Sequence, residues 1–403
     1  MNAKKKLLLI TTNFPYGRGE DFLEEELSIL CKNFHVIILP TRANGEKREI
    51  PLGAQVDHSL SNHLSRYSLR KFYPLVLSVG YIIKHFEGKY LSVLRKYVWT
   101  AHNTILIKRW AESNRNKFDL QTIIYSYWFD IATNGLAISN VSCGQLVTRV
   151  HGYDLYEERH KPPAIPLRSS IINKVDRIYS ISNDGKNYLE RKYGVENVVV
   201  SRLGSRDPLI SNLFSVDEKY RIVSCSYIVS VKRVDKILNA LISMSNVVSN
   251  EIEWVHIGNG NDKLKLKILS VAKKRPKNLT VTFLGHLTNS KVFEYYKKSN
   301  VDVFINMSES EGIPVSIMEA ISHGIPVIAP DVGGVSEIVN GKSGILLNTK
   351  PSIETVVNSL LTIMKEPFSQ KRERRKQARN FWEENYSATV NYNHYVRSLK
   401  KEK

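Results

Sequence analysis

Cysteine is scarce: Cys31, Cys143 and Cys225 are the three in 403 residues, far apart and in no paired motif. So sparse and odd a set excludes a disulfide framework and a cysteine zinc site, and it fits a reducing cytoplasm. No stretch approaches the roughly 20 apolar residues of a membrane span. The run LLLI near the start passes directly into a polar loop, so it reads as a first strand and not as a signal peptide. The third glycine of a dinucleotide fingerprint is missing, since the first loop runs Gly17-Arg-Gly19-Glu-Asp-Phe22, which argues against a dehydrogenase. No segment is of low complexity. Acidic residues are also short, 39 against 58 Lys and Arg, which leaves a net charge of +19.

That charge is uneven. Residues 61–117 carry eleven Lys and Arg against two Glu, and residues 371–403 carry ten against four Glu. Nucleic acid, an anionic membrane surface or an anionic lipid-linked substrate would each answer such a balance. Within 61–117 the positions Leu91, Leu94 and Val98, interleaved with Lys89, Arg95 and Lys96, suggest a basic amphipathic helix suited to a membrane surface or to packing with a solvated basic face. A hydrophobic content of 42% with 24% charged residues describes a folded chain, long enough for two domains each with its own core.

The most informative stretch is 301–347, VDVFINMSESEGIPVSIMEAISHGIPVIAPDVGGVSEIVNGKSGILL. VDVFIN, IPVIA and GILL are short apolar runs of strand type. SESEG and DVGG are loops, and VSIMEAISH is helical, with Pro314 at its start and Gly324 at its stop. Strand, loop, helix and strand at this spacing predict a parallel α/β sheet with ligands at the carboxyl ends of its strands. Glu311 lies in the loop entering the helix, and Glu319 lies inside it. The backbone N–H groups of Gly312, Ile313 and Val315 are left over at the helix start, where the dipole also favours an anion. A carboxylate beside a phosphate-binding turn needs donors of its own, and sugar hydroxyls are the natural ones. The pattern points to a sugar joined to a phosphate.

This segment resembles the donor-binding core of the family 4 (group 1) retaining glycosyltransferases of the bacterial capsular and surface polysaccharide type. Their glutamate, seven residues, glutamate signature reads here as Glu311 to Glu319. The resemblance is strongest over 280–347, good over 221–260 and suggestive in the first half. In SCSYIVSVKRVDKIL, Lys232 and Arg233 are adjacent cations in a loop entering a helix, placed for a diphosphate. The resemblance carries over for Lys232, but Tyr227 stands where many relatives have an arginine, and Arg233 or Ser226 is left to compensate. Gly285 and His286 in FLGH end a strand on the same side, where relatives hold the nucleotide base. Gly258 and Gly260 end another. Gly17 and Gly19 sit in the first loop, where a glycine of the family approaches the donor diphosphate. His151 follows the strand QLVTRV in HGYD and resembles the family's cleft histidine; Arg149 and Arg159 flank it.

The resemblance implies a GT-B fold, two Rossmann-like domains facing one another across a cleft. The domains expected are 1–205 for the acceptor, a linker 206–219, 220–375 for the nucleotide sugar, and 376–403 as a C-terminal helix crossing back to the first domain. The implied reaction transfers a sugar, with retention, from a nucleoside-diphosphate sugar (UDP is the expected nucleotide) to a hydroxyl of a saccharide or polyprenyl-diphosphate-linked acceptor. Glu311, His151 and Lys232 are the expected catalytic residues. Glu319, Arg233, Gly312, Ile313, Pro314, Gly285, His286, Gly17 and Gly19 are the expected donor contacts. No Asp-x-Asp occurs in the chain, which fits a fold whose cations and helix ends take the place of a metal; no cofactor is expected. The expected location is cytoplasmic, peripheral at the inner membrane face. A GT-B nucleotide-sugar epimerase is the alternative, and a basic nucleic-acid-binding protein a more distant one that would leave Glu311 and Glu319 without a role.

Overall fold

A computed structural model describes residues 4–68 except 18, and 93–401 except 210, 216 and 218. The chain divides into two compact units, one running up to Arg202 and joined by the chain from Tyr392 onward, the other Leu203–Asn391.

The first unit is built on a parallel sheet of β1 (Lys6–Thr11), β2 (His35–Pro40), β3 (Ala54–Val56), β4 (Ile123–Ser126), β5 (Gln145–Val150), β6 (Arg177–Ser180) and β7 (Val198–Val200). The strand order is β3-β2-β1-β4-β5-β6-β7. The second unit holds β8 (Lys219–Cys225), β9 (Glu251–Ile257), β10 (Leu279–Gly285), β11 (Val303–Ile305), β12 (Val327–Pro330) and β13 (Gly344–Leu347), in the order β10-β9-β8-β11-β12-β13. Every strand pairing in both sheets is parallel.

Parallel strands covered by helices on both faces read as unbroken apolar runs. KLLLIT is buried from its second residue to its last, and VFI and VIAP are buried throughout. In each sheet the order reverses beside the first strand, between β1 and β4 and between β8 and β11. Those reversals open a crevice at the carboxyl ends of the strands, the usual ligand position in such sheets.

The helix Val315–Ser322 follows β11, capped at its start by Pro314 at φ −68°. Gly324 ends it at φ +73°, and a β-carbon there would lie 3.1 Å from the Arg375 carbonyl oxygen. The expected amphipathic segment is described only from residue 93; there the helix Leu94–Ser113 buries Tyr97, Ala101, Leu106, Ile107 and Trp110. Leu91 and Lys89 lie outside the described residues. No helix among the described residues is long and apolar enough to cross a membrane.

Two histidines of the second unit give its stability a pH dependence. Burial pushes His256, on β9 against Trp254 and Phe283, down to about 4, and it does the same to His323. The unfolded chain therefore binds these protons near pH 6.5 while the folded chain refuses them. Their contribution to stability is fully present above pH 6.5 and is lost as pH falls toward 4, about 2 kcal/mol for each by pH 5. Urea midpoints measured at pH 7 and pH 5 are expected to fall accordingly, and His256→Asn is expected to flatten the slope by about half.

Candidate functional site

In the second unit, the crevice beside β8 and β11 is formed by two loops. The first, Ser226–Arg233, leaves β8 and tightens into a helical turn at Ser230–Lys232 before the helix Val234–Ser245. The second leaves β11 and enters the helix at Val315. The Glu309 N–H donates to the Val231 carbonyl at 2.8 Å, which fixes one loop against the other.

Their charged residues meet in pairs. The Lys232 Nζ donates to Glu311 Oε1, with the carboxylate side chain 7% exposed and the lysine 20%. Arg233 reaches Glu309 Oε1 through Nε at 2.7 Å. Gly312 is held by the Gly334 N–H, which donates to its carbonyl at 3.0 Å, so the DVGG loop closes against the helix start. Ile313 is buried, and no backbone or side-chain acceptor takes the N–H of Gly312 or Ile313 among the described residues. Glu319, one turn into the helix and also buried, accepts from the Asn289 side-chain amide at Oε1.

Lys232, Glu311, Arg233, Gly312, Ile313, Pro314 and Glu319 are thus brought together. Gly285 closes β10 at φ +72° with open space where a β-carbon would stand, and its carbonyl accepts from the Gly258 N–H at 2.7 Å. His286 beside it is exposed and leads, through Thr288, to the helix that carries Asn289. Tyr227 is 54% exposed.

The remaining expected residues belong to the first unit. His151, directly after β5, is 7% exposed and lies against Trp128, Tyr127 and Phe22 at ring-centroid distances of 4.3, 4.8 and 5.8 Å. Its backbone N–H donates to Asp154 Oδ1 at 2.7 Å, the same oxygen lies 3.8 Å from the ring Nδ1, and neither ring nitrogen has a hydrogen-bond partner among the described residues. A buried imidazole whose nitrogens make no hydrogen bond within the unit is suited to a polar ligand.

Gly17 adopts φ +59°, and a β-carbon would fall 2.7 Å from the Asn44 carbonyl oxygen, so a local turn already requires glycine there. Arg48 donates to the Gly17 and Gly19 carbonyls. Arg149, which flanks His151 in sequence, points into the core, fully buried against Glu26 at 2.6 Å. Asp130, which caps the helix Ile131–Ala137 after β4, is raised to about 7 by burial and by the neighbouring Asp154 and Glu20 carboxylates.

Three residues were not anticipated. Glu20 accepts from the backbone N–H groups of Thr12, Asn13 and Phe14 and from Trp128 Nε1, so it shapes the first loop around a carboxylate. Glu309 and Asn289 are the other two. The one available signal was the tandem match between Lys232-Arg233 and Glu309-x-Glu311, two cations answered by two carboxylates.

Part of the basic tail is also used internally. Arg374 binds Glu366, Arg375 donates to the Val301 and Asn212 carbonyls, and Arg379 pairs with Asp207 and Glu383. Among the described residues no group of three or more His, Cys, Asp and Glu could hold a metal ion.

Residues 205–381 match the family described as glycosyl transferases group 1. Among curated proteins, the chain is 30% identical over 161 residues to a UDP-N-acetylglucosamine–peptide N-acetylglucosaminyltransferase GtfA subunit of Streptococcus agalactiae, covering 39% of this chain and 30% of that protein. It is 24% identical over 179 residues to the O-antigen biosynthesis glycosyltransferase WbnH of Escherichia coli, covering 44% of this chain and 48% of that one. The chain therefore spans less than half the length of these relatives. Among solved structures, the fold matches the lipopolysaccharide outer core galactosyltransferase WaaB at a TM-score of 0.63, with 16% identity over 98% of this chain and 99% of that one. It also matches Anabaena Alr3699/HepE, solved with UDP and glucose, at a TM-score of 0.66, with 14% identity over 98% and 99%. At these identities the structural likeness establishes the fold, two parallel-sheet α/β domains of the GT-B class.

Proposed function

Given that residues 205–381 are a glycosyl transferases group 1 domain, we propose that the chain transfers a sugar from a nucleoside-diphosphate sugar to a hydroxyl, with retention at the anomeric carbon and without a metal. The observation that carries this reading is the Lys232–Glu311 pair at the point where the second sheet reverses its order, with Glu311 in the loop that enters the helix carrying Glu319. A cation and two N–H groups at a helix start suit a diphosphate, and two buried carboxylates suit the hydroxyls on either side of it.

In this reading Glu319 accepts the ribose hydroxyls and Glu311 those of the donor sugar. Lys232, with the N–H groups of Gly312 and Ile313, stabilises the charge that develops on the departing diphosphate. Arg233 adds a second cation, Gly285 and His286 border the base, and the first-loop glycines Gly17 and Gly19 border the diphosphate. His151 orients the reacting sugar. The departing phosphate takes the acceptor's proton on the face where the new bond forms, so no protein base is required.

UDP is the proposed nucleotide, in keeping with the names of the GtfA relative and the HepE complex. Surface polysaccharide synthesis is the proposed setting, in keeping with WbnH. A lipid-linked saccharide at an anionic membrane face is the proposed acceptor, supported by the basic excess of residues 61–117 and 371–403.

The test is turnover of a panel of UDP-sugars with and without saccharide and polyprenyl-diphosphate-linked acceptors, in the presence of a chelator. Release of UDP that depends on acceptor, with a product whose anomeric coupling matches the donor's, is expected. An inverted linkage would refute retention. A sugar isomer formed without acceptor would favour an epimerase.

A further inference from the structure

Arg233 is the strained residue of the crevice. Its φ is +47°, in the left-handed region that glycine occupies freely and a residue with a β-carbon does not. Backbone strain at a residue whose side chain is held by a specific partner marks it for a functional role. The side chain is not spent on solvent: the guanidinium, 19% exposed, lies 2.6 Å from Glu309 Oε1. Glu309 is 51% exposed, and its carboxylate has no other partner among the described residues. Its own N–H is tied to the Val231 carbonyl, so the carboxylate is delivered to Arg233 by the backbone. Lys232 next door is covered by Glu311. Both cations of the loop therefore carry an internal counter-ion, one buried and one half in solvent.

Resting on the nucleoside-diphosphate reading of this crevice, we propose that Glu309 is a displaceable counter-ion that holds Arg233 in place for the donor diphosphate and gives it up when the diphosphate arrives. The exchange is favourable in direction. Nε and Nη2 of Arg233 share the one oxygen of a carboxylate that is half in solvent, so the pair contributes little, whereas a phosphate offers the two N–H groups an oxygen each. The pair also sets selectivity by charge. A ligand with a diphosphate displaces Glu309, whereas a bare nucleoside leaves the pair intact and gains nothing from Arg233. Glu311 differs because it is buried and remains available to sugar hydroxyls after Lys232 turns to phosphate.

The test is isothermal titration of UDP, inorganic pyrophosphate and uridine into the wild-type chain, Glu309→Gln, Arg233→Gly and the double variant. Glycine keeps the left-handed backbone, so the loop survives the loss of the side chain. Removing the competing charge is expected to tighten UDP and pyrophosphate about fivefold, the size of one exposed ion pair, and to leave uridine unchanged. The gain is expected to vanish on the Arg233→Gly background. A Glu309 that merely held the loop in shape would weaken binding when replaced. Unchanged or weaker diphosphate binding in Glu309→Gln, or a gain that persists without Arg233, would overturn the proposal and leave the diphosphate site standing. Failure of both UDP and pyrophosphate to bind wild type and Glu309→Gln would overturn the site itself, and Glu309's role with it.

Discussion

Replacing Lys232 by alanine is expected to slow the proposed sugar transfer by about a hundred- to a thousandfold, the usual loss when one preorganised donor to a developing anion is removed. The ammonium lies on a carboxylate that is 7% exposed, so water cannot take over its place. The leaving diphosphate gains charge as the glycosidic bond breaks, and a fixed cation acts more strongly on that state than on the bound donor. The loss should therefore fall mainly on kcat, with a smaller change in KM. The folded chain also loses the partner of Glu311, so a thermal melt is needed beside the kinetics. A KM effect alone, with kcat intact, would assign Lys232 to ground-state binding only.

The second large effect is on stability. Arg149 on β5 and Glu26 on the helix Leu23–Asn33 form an ion pair at 2.6 Å in which neither side chain is exposed. Burial raises the Glu26 carboxyl, against the pull of the Arg149 guanidinium and of the Tyr125 hydroxyl that donates to it at 3.0 Å. The guanidinium lies 4.4 Å from the ring of Tyr395 on the last helix, so three elements meet at one buried charge pair. Arg149→Met strands the carboxylate and is expected to cost about 3–5 kcal/mol. For a unit of this size that is a fall of roughly 6–20 °C in melting temperature. Replacing both partners, Glu26→Leu with Arg149→Met, is expected to recover most of the loss, because no buried charge is then left alone. Calorimetry on the three proteins decides it: equal loss in the single and double variants would mean that packing, not charge, is what Arg149 supplies.

These two residues also show what could be read in advance. Lys232 is legible because its position is set locally: β8, a polar loop and the start of the helix Val234–Ser245 follow one another in sequence, although its partner Glu311 is 79 residues away. Arg149 precedes His151 by two residues, yet it turns inward to Glu26. In a sheet buried on both faces, alternation along a strand does not tell which side holds a charge, and the partner is 123 residues away. Asn289 was missed for the same reason, since its contact with Glu319 joins two helices that the sequence does not align. The basic excess of the tail suggests an anionic partner, yet Arg374, Arg375 and Arg379 are engaged by Glu366, the Val301 carbonyl and Asp207. Composition counts charges and is blind to which of them turn inward.

The measurement closest to the central claim is a thermal-shift series with UDP, GDP, ADP and NAD on the wild-type chain and on Glu319→Ala. A ligand at about 100 times its dissociation constant adds roughly 2.7 kcal/mol, enough for a shift of several degrees. One nucleoside diphosphate, expected to be UDP, should raise the wild-type melting temperature and leave the variant unmoved, because the carboxylate held by Asn289 is the proposed acceptor of the ribose hydroxyls. A shift of equal size in both proteins, or no shift with any of the four, would contradict a nucleotide site built on Glu319.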